Sequence, residues 1–207
     1  MQKYCSIVKN KLNRLICNME KNAAAYVVNP KRDFIRKSEL SFSKTMRFIL
    51  GMGCQTLGKE LMDFYSFDAK AVSVSAVVQR RAKILPAAFQ DLFKKFNETF
   101  SQTSFFHGYR LYAVDGSDIH IPTLPDDYGT HYCSNDLSKG YNLMHLNALY
   151  DLMNRRYMDA VLQDSRSENE HSALILMTNK LKHNSIIVAD RGYEAYNTIA
   201  HLENNGL

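Results

Sequence analysis

The chain has 207 residues, 45% of them hydrophobic, 23% charged and 11% aromatic, the make-up of a soluble globular protein with one large domain or two small ones. No run approaches the roughly 18 apolar residues of a membrane span, which excludes a transmembrane helix, and the N-terminus lacks the basic-then-apolar order of a secretory signal. Net charge is +5, but residues 1–107 carry 18 Lys+Arg against 8 Asp+Glu, while residues 108–207 carry 8 against 13. A basic half followed by an acidic half fits a polyanion-binding module joined to a module that holds cations, unless the unevenness is only solvated surface. Cys5, Cys17, Cys54 and Cys133 form neither a CxxC pair nor a zinc-ligand spacing. They read as reduced thiols of a cytoplasmic protein.

Residues 1–40 are rich in Lys, Arg and Asn, with Ile7, Leu12, Leu15, Ile16 and Met19 at roughly helical spacing. This reads as a basic, weakly amphipathic arm, able to lie along phosphates or to serve as a solvated helix. Phe42, Met46, Ile49 and Leu50 then mark a helix closed by Gly51 and Gly53, and Leu57, Leu61, Phe64 and Tyr65 mark a second. Ser73 is a candidate N-cap for a third helix with an apolar face of Val74, Val77, Val78 and Leu85. Its other face carries Gln79, Arg80 and Lys83, with Arg81 beside them, residue types that read base edges and phosphates. A solvated polar face is the plainer alternative. Pro86 fits the first turn of a fourth helix, striped by Phe89, Leu92, Phe93, Phe96 and Phe100 as core.

Near 101–108 the period changes from helical to strand-like, which places a domain boundary: residues 1–105 as an all-α DNA-binding domain with a basic arm, residues 106–207 as an α/β domain. A first strand over about 109–114 ends in Asp115, Asp118 follows three residues on, and Ile119 to Pro122 continue the strand beyond a kink. Residues 123–140 read as a long loop. Leu143 to Tyr150 and Tyr157 to Leu162 form a hairpin. Ser167-Glu168-Asn169-Glu170 reads as a capping box opening a helix through Leu181. Ile186-Ile187-Val188-Ala189 reads as a fully buried strand running into Asp190, and a last helix carries Tyr196, Ile199 and Leu202, closed by Asn204-Asn205-Gly206.

Two strands that each end in an aspartate bring two carboxylates to one sheet edge if they are neighbours and parallel. Carboxylates that close repel, and a divalent cation relieves the conflict. Mg²⁺ takes one or two carboxylates plus waters and phosphate oxygens, so Asp115 and Asp190 point to metal-dependent phosphoryl transfer. Arg191 is placed to pair with a phosphate and Tyr193 to cover the site. Each also has a plain structural role: helix cap for Asp190, surface ion pair for Arg191, packing for Tyr193. Asp118 is a candidate third ligand, with turn chemistry the plainer reading, while His120, His145 and His171 show no metal spacing and read as structural.

The motifs Ala113-Val114-Asp115-Gly116-Ser117 and Val188-Ala189-Asp190-Arg191-Gly192-Tyr193, with Leu146 to Asp151 and the helical stretch 41–100, resemble the DDE transposases of insertion sequences, the insertion-sequence-four group that includes the Tn-five-like enzymes. The resemblance covers about residues 40–207. It implies a ribonuclease H-like core using Mg²⁺ (or Mn²⁺) for strand cleavage at transposon ends and strand transfer into target double-stranded DNA, in a homo-oligomer when complete. It assigns Asp115 and Asp190 as the first two metal-binding acids and places Arg191 and Tyr193 near the DNA. The group's third acid lies in a Tyr-x-x-Arg-x-x-x-Glu pattern well downstream, and none follows Asp190; Glu194 and Glu203 are the only later acids. The expectation is therefore an incomplete core in a C-terminally truncated chain, inactive alone or partner-dependent. Two alternatives stay open: a non-catalytic DNA-binding remnant, and an unrelated metal-dependent phosphoesterase.

Overall fold

The computed structural model describes residues 2–69, 71–133, 139–181 and 184–207. Residues 134–138 of the expected long loop lie outside the described residues. The chain divides into two compact units, Met1–Phe100 and Ser101–Leu207.

The first unit holds helices α1 (Gln2–Lys21), α2 (Phe42–Gly51), α3 (Leu57–Phe64), α4 (Val74–Arg81) and α5 (Pro86–Glu98). The N-terminal stretch is not a free arm. Ile16 and Met19 are buried with Phe42, Met46, Ala88 and Leu92, so α1 packs into the core through the face that its spacing marks. The central helix, α2, feeds two clusters. Phe42 and Met46, one turn apart, join the first, while Phe48 joins Leu40, Leu61 and Val77 in a second. Ser41 and Ser73 cap α2 and α4 by accepting the backbone N–H groups of Lys44 and Ala76. The apolar face expected of α4 shrinks to Val77. With only eight residues, the helix buries Val77 with Ala76 packed beside it, and Val74 and Val78 are exposed.

The second unit is a sheet with helices. Its strands are β1 (Arg110–Ile121), β2 (His131–Tyr132), β3 (Tyr141–Asp151), β4 (Arg156–Asp164) and β5 (Ser185–Val188). β3 pairs antiparallel with β1 on one edge; on the other, β4 takes its length and β2 its start. β5 lies parallel to β1. Helix α6 (Glu170–Thr178) places Leu174 and Met177 against Tyr112, Val114 and Leu149. Helix α7 (Tyr196–Asn204) closes the chain. Among the described residues no helix is long and apolar enough to cross a membrane.

Three expectations are corrected here. The first strand is not broken after Asp115, because its pairing with β3 runs without interruption to Ile121↔Asn142. The Ile186–Ala189 run is not fully buried. Among the described strands β5 pairs with β1 alone, an edge position, and Val188 is 47% exposed. The N-cap of α6 is Asn169, accepting from Ser172 N, while Ser167 N bonds back to Asp164 in a turn. Glu170 is thus the first residue of α6, not the acid of a capping box.

Candidate functional site

The parallel pairing of β5 with β1 runs from Arg110↔Ser185 to Ala113↔Val188 and stops. Two residues further on stand Asp115 and Asp190, at corresponding positions. Strand side chains alternate with period two, so continuing the register turns both carboxylates to the same side, just past the end of the shorter strand. Each is oriented by a glycine. Asp115 Oδ1 accepts from Gly116 N at 2.9 Å, and Asp190 Oδ1 accepts from Gly192 N at 2.8 Å. The second bond makes Asp190 the cap of a 3-10 turn, Arg191–Tyr193, so its plain structural role and its position at the sheet end coexist. Both aspartates are exposed, as is Arg191.

Tyr193 is placed differently from a residue meeting DNA. It is 5% exposed and packs with Tyr112, Val114, Leu174 and Met177, because the 3-10 turn folds the ring back over the core. Its buried hydroxyl has no hydrogen-bond partner among the described residues. Burial first, and then the charges of Glu170, Asp115 and Asp190, push the phenol up to about 12. One buried phenol therefore feels all three carboxylates.

The same end of the sheet holds a cluster that sequence reasoning missed. His145 pairs with Asp118 across β3 and β1, and its Nδ1 lies 2.9 Å from Asp118 Oδ1 and 3.1 Å from Glu168 Oε2. Nε2 lies 3.1 Å from Glu170 Oε1. Burial alone lowers the imidazole's pKa, but the Asp118 and Glu170 hydrogen bonds and the charges of Glu168 and Asp118 together raise it. The ring thus serves three acids, which favour its protonated form. Asp118, His145 and Glu168 also form a group able to hold a metal ion, with one ligand atom from each within 4.8 Å of the others. Gly116 makes room for the cluster: a Cβ there would lie 2.5 Å from His145 Nε2 and closer still to Glu170 Oε1. His120 and His171 are elsewhere, against the Tyr141 ring and Thr198 Oγ1. No sequence spacing signals the cluster, since His145 meets its acids only through strand register and the start of α6.

Donor chemistry decides which cation suits each place. Asp115 and Asp190 offer carboxylate oxygen alone, the set for Mg²⁺ or Mn²⁺. The later acids, Glu194 and Glu203, are both exposed, one after the 3-10 turn and one on α7.

In the first unit, Gln79, Arg80, Arg81 and Lys83 do not share one helix face. α4 ends at Arg81, and Lys83 lies in the following turn, 3.3 Å from Asp33. Gln79 and Arg81 are exposed, whereas Arg80 is half-buried, with Nη2 donating to Ser38 Oγ at 2.8 Å.

Residues 106–207 match the family model described as the transposase DDE domain. No curated protein and no solved structure matches the chain.

Proposed function

We propose that the chain is a transposase of the insertion-sequence type, with Asp115 and Asp190 holding the divalent cation, Mg²⁺ or Mn²⁺, that serves DNA strand cleavage and strand transfer. The observation that carries this reading is the placement of both acids at corresponding positions past the last β1–β5 rung, inside the segment that matches the transposase DDE domain. The sheet order, with the β1–β3–β4 antiparallel run and β5 parallel beside β1, is the arrangement expected of a ribonuclease H-like core.

A divalent ion at these carboxylates supplies activation of an attacking hydroxyl and charge stabilisation of the leaving oxygen. The chain's own residues do the rest. The Gly116 and Gly192 N–H groups fix one oxygen of each aspartate, which leaves the other oxygen to turn toward the cation. Arg191, exposed beside Asp190, pairs with a backbone phosphate. The first unit supplies DNA contacts from Gln79, Arg80, Arg81 and Lys83.

Calorimetric Mn²⁺ titration of the full chain tests the metal reading, alongside cleavage of a duplex carrying the element's terminal repeats. Asp115→Asn and Asp190→Asn are each expected to weaken Mn²⁺ binding at least about tenfold, which corresponds to about 1.4 kcal/mol. Unchanged affinity in both sinks the assignment. Loss in His145→Gln instead moves the metal to the Asp118–His145–Glu168 cluster. Metal and DNA binding without cleavage favours the non-catalytic remnant.

A further inference from the structure

The strongest unexplained feature of the first unit is a basic cavity of about 510 Å³, lined by Lys31, Arg32, Arg36, Arg80 and Lys83. Phe34 and Ile35 line it as well. The Phe34 ring is anchored edge-on against Phe42 at 5.7 Å, and the Arg80 guanidinium lies over it, 5.0 Å from the ring centre. Arg80 is thus held from two sides, by the ring and by Ser38 Oγ, with its remaining N–H groups directed by that fixed plane.

The turn that carries Lys31 and Arg32 is equally organised. The turn at 29–33 is closed by Asp33 N donating to Asn29 O, and the buried Asp33 carboxylate accepts from Asn29 N and pairs with Lys83. Val28 N donates to Lys83 O, which ties this turn to the end of α4. Phe34 itself sits at φ 57, in the left-handed region, a conformation that costs an L-residue about 1 kcal/mol or more and that the surrounding contacts hold. Among the described residues, Lys31, Arg32, Arg36 and Arg80 pair with no carboxylate.

We propose that this cavity is a clamp for a backbone phosphate of double-stranded DNA, formed by the 31–36 turn and Arg80, and that it positions the duplex without reading its sequence. The proposal rests on the DNA-binding part of the function proposed above. Every polar side chain lining the cavity is a donor, so it recognises anionic oxygen and has no side-chain acceptor for a base amino group. One face of Phe34 is taken by Arg80, which competes with base stacking there. Arg80, which its helix position assigned to base edges, is turned to phosphate instead.

The test is fluorescence anisotropy of the full chain on two short duplexes of unrelated sequence, each titrated over salt. Arg36→Ala and Lys31→Ala alter exposed side chains and leave the fold intact. Each contact removed is expected to lower the slope of log K against log salt by about 0.9, equally on both duplexes. Arg80→Lys keeps the charge and loses the planar fork. It is expected to keep the slope while weakening both duplexes several-fold. Loss confined to one duplex would make these residues base readers and overturn the clamp. Unchanged slopes, or no duplex binding by the wild-type chain while inorganic phosphate still binds, would overturn it too. Asp115→Asn, run in parallel, separates the two readings, since its Mn²⁺ affinity and these slopes fail independently.

Discussion

Gly116→Ala probes the acidic end of the sheet most directly. The added Cβ would stand 2.5 Å from His145 Nε2 and 3.0 Å from Cε1, where ordinary contact begins near 3.4 Å. It would be closer still to Glu170 Oε1, but that is the end of a flexible chain and can swing away. The imidazole cannot. Its side chain is 7% exposed, and Nδ1 is held by both Asp118 and Glu168. Either the ring retreats by about 0.9 Å or β1 bends, and overpacking of this kind costs about 1–3 kcal/mol. For a unit of this size each kcal/mol lowers the melting temperature by about 4–8 °C. Displacing Glu170 also removes one of the interactions that raise the His145 pKa. Thermal unfolding of the full chain, with an NMR titration of His145, reads both effects. Gly51→Ala is the control, since nothing lies within 4 Å of a Cβ there. A Gly116→Ala chain that melts and titrates like the wild type would refute the reasoning.

Two further outcomes follow from the titrating groups. The folded pKa of His145 is raised above 6.5, so its stabilising contribution is complete below that pH and is lost as pH rises through the folded value. Urea unfolding should show stability falling above pH 6.5 in the wild type and a flatter profile in His145→Gln; equal slopes would count against the imidazolium. Tyr193 buries a hydroxyl without a partner, so Tyr193→Phe is expected to be neutral or stabilising by about 1 kcal/mol, and to weaken the loss of stability as pH rises from 10 toward 12. Destabilisation by more than about 1 kcal/mol would reveal a hydrogen bond to the phenol.

The sequence carried most of the helical unit because each helix announces itself locally. Phe42 and Met46 share a face, Ser73 caps, and Pro86 opens a helix, all within a few residues. The strands were legible as apolar runs, but their ends were not. A strand's length is set by its partner, and β1 outlasts Asp115 only because β3 continues beside it. The first helix was underestimated for a similar reason. Its polar composition is that of a surface arm, and only Ile16 and Met19, meeting α2 and α5 from a distance in sequence, draw it into the core. The parallel neighbours Asp115 and Asp190 follow from reading two matching motifs. His145, Glu168 and Glu170 do not, because strand register and the point where α6 begins bring them together.

The acids at this end of the sheet fall into two sets, and the difference between them argues for where a cation goes. Asp118, Glu168 and Glu170 surround the buried His145 ring, which already engages one oxygen of each. A metal entering there would have to break these contacts. Asp115 and Asp190 have no ion-pair partner among the described residues, and their carboxylates accept from glycine N–H groups. Two carboxylates at corresponding positions of adjacent strands repel, and water screens this only while the site stays open. A phosphate group approaching Arg191 would add negative charge and exclude that water. The uncompensated pair then becomes the costlier set, and a divalent ion is the charge that offsets it. On this ground we favour Asp115 and Asp190 for the proposed metal, with the His145 cluster joining β1, β3 and the start of α6 as a brace beside them.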